Sequence, residues 1–331
     1  MKLAILGTGF IVKEGALKAL KDVPEIEITA IFARPSSKAT AEELATIHSI
    51  PRVYTDYGEL LKDPEIDFVY IGLINSVHYE YAKGALLAGK NVIVEKPFAS
   101  LAREVAELRD LALEKHLYVF EAVTLLHLPN FHEIRKALPK LGKIRAVTAN
   151  YSQYSSRYDR YLKGEVLPAF DPQRSGGALY DINIYNLNFI IGLFGPPENV
   201  QYRANIGFNG IDTSGVVSLQ YDGFFATALG AKDSDSPGFI TIQGEKGYLR
   251  VLGAPNELKA FELCLRGTGT VTRYELNRYE HRMVHEFQEF ATLYEKGDYS
   301  AMKNGLDVSL TVQETAEKAR KQAGIVFSCD G

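Results

Sequence analysis

The pattern of this chain predicts an α/β fold: a doubly wound parallel sheet of Rossmann type, followed by an α+β domain with an open, mostly antiparallel sheet. Three observations predict it. Up to residue 122, short apolar runs alternate with helical stretches, the arrangement of strands buried on both faces by crossover helices. The first run, Lys2-Leu3-Ala4-Ile5-Leu6, passes at once into Gly7-Thr8-Gly9 and a helical stretch. From Val200 to Arg273, strand-like runs follow one another with turn residues between them, which suggests antiparallel neighbours. The expected division is 1–122 and 123–331, with the last helix available to pack back on the first domain.

The elements follow in order. Lys2–Leu6 is apolar and ends on glycine, so it reads as a strand, and Val12–Lys21 as the helix after it. Glu27–Ala33 is the second strand and Ser37–His48 a helix; Val53-Tyr54 is a short third strand and Tyr57–Lys62 a turn or two of helix. Asp67–Gly72 is a buried strand, His78–Ala88 a helix, Asn91–Glu95 a strand, Leu101–Lys115 a long amphipathic helix and Tyr118–Phe120 the last strand. Right-handed crossovers between these strands wind the sheet both ways. Asn130–Leu138 then reads as helical, Lys143–Tyr154 as a half-exposed strand, and Gly177–Leu193 as a helix stopped by Gly195-Pro196-Pro197. Seven strands follow, at Val200–Gly207, Ser214–Tyr221, Phe224–Ala231, Gly238–Gln243, Gly247–Leu252, Leu258–Leu265 and Val271–Glu275. Helices near Arg282–Lys296 and Asn304–Ala323 complete the reading.

Bulk properties narrow the function. The chain has 331 residues, 46% hydrophobic and 24% charged, with a net charge of −4. That is an ordinary globular composition, and no basic surface is offered to nucleic acid or anionic membrane. Cys264 and Cys329 are the only cysteines; they could pair, but they form neither a disulfide framework nor a C-x-x-C metal motif. No apolar stretch approaches membrane-spanning length, and the expected location is cytoplasmic. His281 and His285 are the one i, i+4 histidine pair. Without a surrounding H-E-x-x-H, they read as a solvated helix face, and no metal is expected.

Chemistry concentrates in two places after the glycine turn. In Gly7-Thr8-Gly9-Phe10-Ile11, the first glycine allows the tight turn, and the second removes a side chain from the path of a pyrophosphate. Val12 stands where the fingerprint's third glycine is usual. Glu95-Lys96-Pro97 ends the fifth strand, so Lys96 sits at the carboxyl end of the sheet, where ligands bind. A lysine there bonds a substrate hydroxyl or carbonyl and shares a proton; the alternative is a solvated strand end. Further on, Gly176-Gly177 precede a helical run carrying Asp181 and Tyr185, four apart and therefore on one face. Phenol, carboxylate and ammonium together make a proton-transfer set; the alternative is a surface pair with a packed tyrosine.

These features resemble the glucose–fructose oxidoreductase / inositol dehydrogenase / MocA family along essentially the whole chain. The resemblance rests on Gly7-Thr8-Gly9, on Asn75 and His78 after the fourth long strand, on Glu95-Lys96-Pro97 and on the Gly176-Gly177…Asp181…Tyr185 run. Ile242-Gln243-Gly244-Glu245-Lys246-Gly247 adds a strand–turn–strand similar to the family's second domain. It implies hydride transfer between nicotinamide C4 and a carbinol or carbonyl carbon of a sugar, polyol or diol. Lys96, Asp181 and Tyr185 would be catalytic, and homodimers or homotetramers would form through the open sheet. Many members have histidine where Tyr185 stands; tyrosine is similar to the dimeric dihydrodiol / xylose dehydrogenase branch. Asn183 replaces the glycine usual between the two, and Leu73-Ile74-Asn75 replaces Thr-Pro-Asn. Thr124 and Leu126 replace that branch's tryptophan and arginine, so its substrate does not carry over. The alternative function is a cofactor-binding sensor of the same fold without turnover.

The cofactor expected is NADP, with NAD the alternative. NAD sites place an acid at the end of the second strand, whereas here Arg34-Pro35-Ser36-Ser37-Lys38 follows it. Arg34, Ser37 and Lys38 could receive a 2′-phosphate, or form an incidental basic turn. Tyr151, Tyr154, Tyr158 and Tyr161, with Arg157 and Arg160, either line a sugar pocket or make a sheet or dimer contact. Tyr154 and Arg174 are the further candidate substrate contacts.

Overall fold

The structure, a computed structural model, describes residues 1–330. It divides into two compact units, the first formed by Met1–Ala122 and Tyr279–Ser309. Six strands build its sheet: β1 (Lys2–Leu6), β2 (Glu27–Phe32), β3 (Val53–Tyr54), β4 (Phe68–Ile71), β5 (Asn91–Glu95) and β6 (Val119–Ala122). They lie in the order β3-β2-β1-β4-β5-β6, every pairing parallel. The strand order reverses between β1 and β4. In open α/β sheets that switch point is where a ligand binds, beyond the carboxyl ends of the strands.

The strands are apolar because both faces are covered. Leu3, Ala4, Ile5 and Leu6 of β1 and all four residues of β4 are inaccessible to solvent. Residues 279–309 join this unit through the helix Met283–Glu295. Phe290 of that helix stacks on Phe120 at 4.5 Å, Phe287 meets Tyr70 at 5.7 Å, and Tyr294 meets Phe68 edge-on at 4.9 Å. Each such buried phenylalanine contributes about 1.5–3 kcal/mol of apolar burial.

The second unit comprises Val123–Arg278 and the described residues from Leu310 onward. Its strands are β7 (Ile144–Ser152), β8 (Asn199–Ile206), β9 (Asp212–Tyr221), β10 (Phe224–Ala231), β11 (Phe239–Gly244), β12 (Gly247–Leu252), β13 (Ala260–Leu265) and β14 (Val271–Tyr274). The order is β14-β13-β12-β11-β7-β10-β9-β8. Only β7 and β10 run parallel; the other pairs are antiparallel. The apolar helix Ile184–Phe194 packs against β7 and β10 and is buried along most of its length. The other face is open. Register aligns Phe225, Ala146, Gln243 and Tyr248 across β10, β7, β11 and β12, and Phe225, Tyr248 and Leu229 are exposed.

Three local features depart from the sequence reading. The helix expected from Val12 opens as a wide π-type turn over Ile11–Ala16, and the one expected from Gly177 does so over Leu179–Asn183. The strand expected from Leu258 starts at Ala260, because Leu258 is buried in a left-handed conformation (φ 43°). The carbonyls of Leu258 and Lys259 instead accept the Asn130 amide. The histidine pair is not a solvated helix face. The helix begins only at Met283, His281 Nε2 lies 3.0 Å from the Glu14 carbonyl, and His285 is buried against Tyr279.

Candidate active site

The glycine turn sits at the carboxyl end of β1. Gly7 has φ 110°, and a Cβ there would lie 2.6 Å from the Gly72 carbonyl oxygen. Its N–H donates to Phe32 O, and the N–H of Gly72 donates to Leu6 O, so the ends of β2, β1 and β4 are tied together. Gly9 differs, since a Cβ there would meet no atom within 4 Å. Glycine at that position answers no demand of the fold, and the space where its side chain would stand is open. Thr8 is half-buried, while Phe10 is 73% exposed beside the gap and Ile11 begins the helical turn. These residues fit a dinucleotide.

The missing third glycine has a counterpart. That glycine normally permits close helix–strand packing. Here Val12 is fully buried, and a Cβ on Gly72 would come within 2.7 Å of its side chain. The small residue has moved from the helix to the end of β4.

Beyond β4 and β5, one histidine binds two loops. His78 is fully buried; its Nδ1 lies 2.9 Å from Pro97 O and its Nε2 3.1 Å from Leu73 O. Burial pushes this imidazole below its ordinary basicity. Asn75 starts the turn between Leu73 and His78. His78 therefore fixes the loop carrying Leu73 and Asn75 against the one carrying Lys96.

Two carboxyl groups, one buried and one half-buried, interact with Lys96. Glu95 is 5% exposed and accepts from the Tyr70 hydroxyl at 2.8 Å. Burial raises its pKa, while the Tyr70 hydrogen bond and the Lys96 and Arg282 cations oppose the rise. Glu121, at the end of β6, accepts from Phe98 N–H at 3.0 Å. Burial pushes its carboxyl up to about 7 despite bonds with Ser309 and Phe98, and Glu95 adds repulsion. Lys96 itself is half-buried, next to Pro97 in a cis peptide.

The second unit presents the other candidate groups. Gly177 (φ 99°) passes so close to Asp212 that any Cβ would collide with its carboxylate; a Cβ on Gly176 would lie 2.5 Å from Pro168 O. The double glycine admits this approach, and Asp212 then caps the helix start, accepting from Leu179 N–H at 2.6 Å and Tyr202 OH at 2.7 Å. Burial raises the Asp212 pKa. Asp181 and Tyr185 follow, one in the wide turn and one in the helix. Tyr185 is 9% exposed, with Tyr151 edge-on to its ring at 5.8 Å. Asp181 pairs with Lys232 Nζ at 2.7 Å. Asn183 donates to Ala228 O at 2.9 Å and its carbonyl accepts from Asn186; a Cβ on Gly230 would lie 2.5 Å from the Asn183 Cβ. The strand supplies the glycine that the helix lacks.

Most of the remaining predicted residues lie at the surface, but Tyr151 and Tyr161 are buried. Arg34 is exposed at the end of β2, followed by the turn Pro35–Ser37, and Lys38 reaches Glu42 at 3.5 Å. Tyr154 donates its hydroxyl to Asp159 at 2.7 Å, and Arg174 is exposed before the double glycine. Of the tyrosine cluster, Tyr158 and Tyr161 stack on each other, Tyr161 stacks on Phe170 and, at 4.4 Å, on Phe208, and Arg160 pairs with Glu165. Asp212 and Lys232 were not singled out by the sequence reading. Asp212 opens β9 and Lys232 follows β10, and nothing in a single sequence separates such a residue from a solvated one.

Comparison with known proteins fits this geometry. Residues 1–123 match the GFO_IDH_MocA family, an oxidoreductase family with an NAD-binding Rossmann fold, and residues 131–250 match the GFO/IDH/MocA C-terminal domain. Scyllo-inositol 2-dehydrogenase (NADP(+)) IolU of Bacillus subtilis is 35% identical over 100% of this chain and 99% of its own. Trans-1,2-dihydrobenzene-1,2-diol dehydrogenase of Xenopus laevis is 31% identical over 76% of this chain and 74% of its own. The 3-ketoreductase KijD10 of Actinomadura kijaniata, solved with NADP and TDP-benzene, shares the fold with a TM-score of 0.84 at 20% identity, covering 97% of each chain. The chain thus belongs to the GFO/IDH/MocA family and is an NAD(P)-dependent oxidoreductase acting on CH–OH groups.

Proposed function

We propose that the chain interconverts a cyclic polyol or diol and its ketone with NADP, and that Lys96, Asp181 and Tyr185 act on one substrate. The observation that carries the reading is the 35% identity, along the whole chain, to an NADP-dependent inositol dehydrogenase. Bound NADP supplies the hydride acceptor, and in reverse NADPH the donor. Gly7, Thr8, Gly9, Phe10 and Ile11 hold the pyrophosphate. Arg34, Ser37 and Lys38 hold the 2′-phosphate, supported by the absence of an acid after β2. Leu73, Asn75, His78 and Glu95 shape the floor on which the nicotinamide rests.

The protein's own groups handle the proton. Lys96 donates a hydrogen bond to the reacting oxygen and stabilises negative charge there. Tyr185 as the phenolate takes the hydroxyl proton during oxidation, and as the phenol returns it during reduction. The Asp181 carboxylate accepts from a substrate hydroxyl and sets its orientation. Tyr154 and Arg174 contact the substrate's outer edge. Orientation by such contacts accounts for much of the rate.

The test is NADP reduction across inositols, aldoses and dihydrodiols, with Tyr185→Phe alongside. Turnover is expected with a ring polyol or diol, and the variant is expected to lose ~10²–10⁴-fold in kcat with cofactor affinity kept. Tight cofactor binding without turnover on any of them would leave a sensor. The exposed face bearing Phe225, Leu229 and Tyr248 supports pairing of two copies there; Phe225→Asp should then lower the mass measured by light scattering. We place the enzyme in the cytoplasm.

A further inference from the structure

Lys232 is a lysine where lysine is costly. It follows β10 directly, and its side chain is only 3% exposed. The apolar stem and ammonium lie against the Phe170 ring, with Nζ 4.3 Å from its centroid. Nζ donates to Ala169 O at 2.5 Å and pairs with Asp181 Oδ2 at 2.7 Å. The backbone is held equally firmly: Lys232 N–H donates to Thr213 O, and Lys232 O accepts from Ser155 N–H, both at 2.9 Å. The ammonium is thus held by Ala169 O and the Phe170 ring, and its backbone by two hydrogen bonds, before it meets Asp181. Asp181 is the open partner, with its side chain 37% exposed.

A buried ammonium is stable only when paired and hydrogen-bonded. The converse matters more here. A carboxylate backed by a fixed buried cation stays ionised and keeps one rotation, since one oxygen is committed to the ammonium. Such a carboxylate is a strong hydrogen-bond acceptor and a poor proton reservoir. Asp212, which also interacts electrostatically with Lys232, is committed to Leu179 N–H and Tyr202.

We propose that Lys232 is a positioning residue of the reaction: it locks Asp181 as a permanently charged acceptor for a substrate hydroxyl, so that the proton passes through the phenol rather than the carboxylate. This rests on the assignment of Asp181 and Tyr185 made above. Asp181 then defines which hydroxyl of a polyol is held, and Lys232 defines where Asp181 points.

The experiment is a double-mutant cycle on the full chain, with Lys232→Met, Asp181→Asn and the pair, reading kcat, KM for the preferred polyol and NADPH affinity by fluorescence. Lys232→Met is expected to lower kcat/KM by ~10–100-fold, as loss of a supporting partner does elsewhere, with NADPH affinity unchanged. In the Asp181→Asn background the same change is expected to cost less than ~2-fold, because the residue it acts through is already gone. Equal losses in both backgrounds would overturn the proposal and leave Lys232 a structural cation. Lys232→Gln, which keeps a donor for Ala169 O without the charge, covers the case in which methionine prevents folding; wild-type kcat/KM in Lys232→Gln would also overturn it. Wild-type turnover in Asp181→Asn alone would instead refute the site assignment itself, whatever Lys232 does.

Discussion

Gly7 and Gly9 are two residues apart and make opposite demands, which allows the cofactor site to be tested separately from the fold. Adding a methyl at Gly9 meets no atom within 4 Å, and its φ lies outside the left-handed region. Gly9→Ala should therefore leave unfolding free energy unchanged or raise it by about 0.4–1 kcal/mol through the unfolded chain. The same methyl stands where the pyrophosphate must approach. An unaccommodated methyl costs about 1–3 kcal/mol, so NADPH affinity should fall by roughly 5- to 150-fold. Gly7→Ala behaves in reverse. It forces alanine to φ 110° and puts Cβ 2.6 Å from Gly72 O, a strain and clash of about 2–4 kcal/mol taken against the fold. Urea unfolding and NADPH fluorescence titration on both variants decide the matter. Undiminished NADPH binding by Gly9→Ala, or its destabilisation to the level of Gly7→Ala, would refute the reasoning.

Other perturbations carry equally definite signs. Arg34→Ala should weaken NADP by about 1.5–3 kcal/mol, the worth of a charged hydrogen bond, and NAD hardly at all; equal weakening in paired titrations would reject the 2′-phosphate assignment. Glu121 has its folded pKa raised from the usual 4.5 to about 7, so between those values the folded state binds more protons than the unfolded. Stability should then fall as pH rises from 5 to 8, by at most about 3 kcal/mol for this group; Glu121→Gln should flatten that part of the profile, and an unchanged slope by chemical denaturation would count against it. Gly230→Ala should destabilise by about 1–3 kcal/mol because its Cβ meets Asn183 at 2.5 Å. Adding Asn183→Gly should relieve the clash but still forfeit the bond to Ala228 O, and a double variant no more stable than Gly230→Ala would show that the two residues do not compensate.

Much of the first unit was legible because its signals are local. Apolar runs ending on glycine gave the strands, and Glu95-Lys96-Pro97 announced the end of β5. The wide turns at Ile11–Ala16 and Leu179–Asn183 were hidden, since a π-type turn and an α-helix share the same apolar spacing over so few residues. The compensations were hidden for a different reason. Val12 against Gly72 and Asn183 against Gly230 are each a large and a small residue exchanged between elements distant in sequence. Lys232 was invisible on the same ground: only the fold reveals that the residue after β10 turns inward to Asp181 rather than outward to water.

In the proposed reaction a hydride passes directly from a hydroxyl-bearing carbon, and Tyr185 handles the proton. A polyol deuterated at its reacting carbon, turned over with NADP and followed by mass spectrometry and NMR, tests it most directly. Deuterium is expected at nicotinamide C4, on one face only, with the same labelling at a rate lowered ~10²-fold or more in Tyr185→Phe. Deuterium appearing in solvent instead, or a Tyr185→Phe rate equal to wild type, would contradict it.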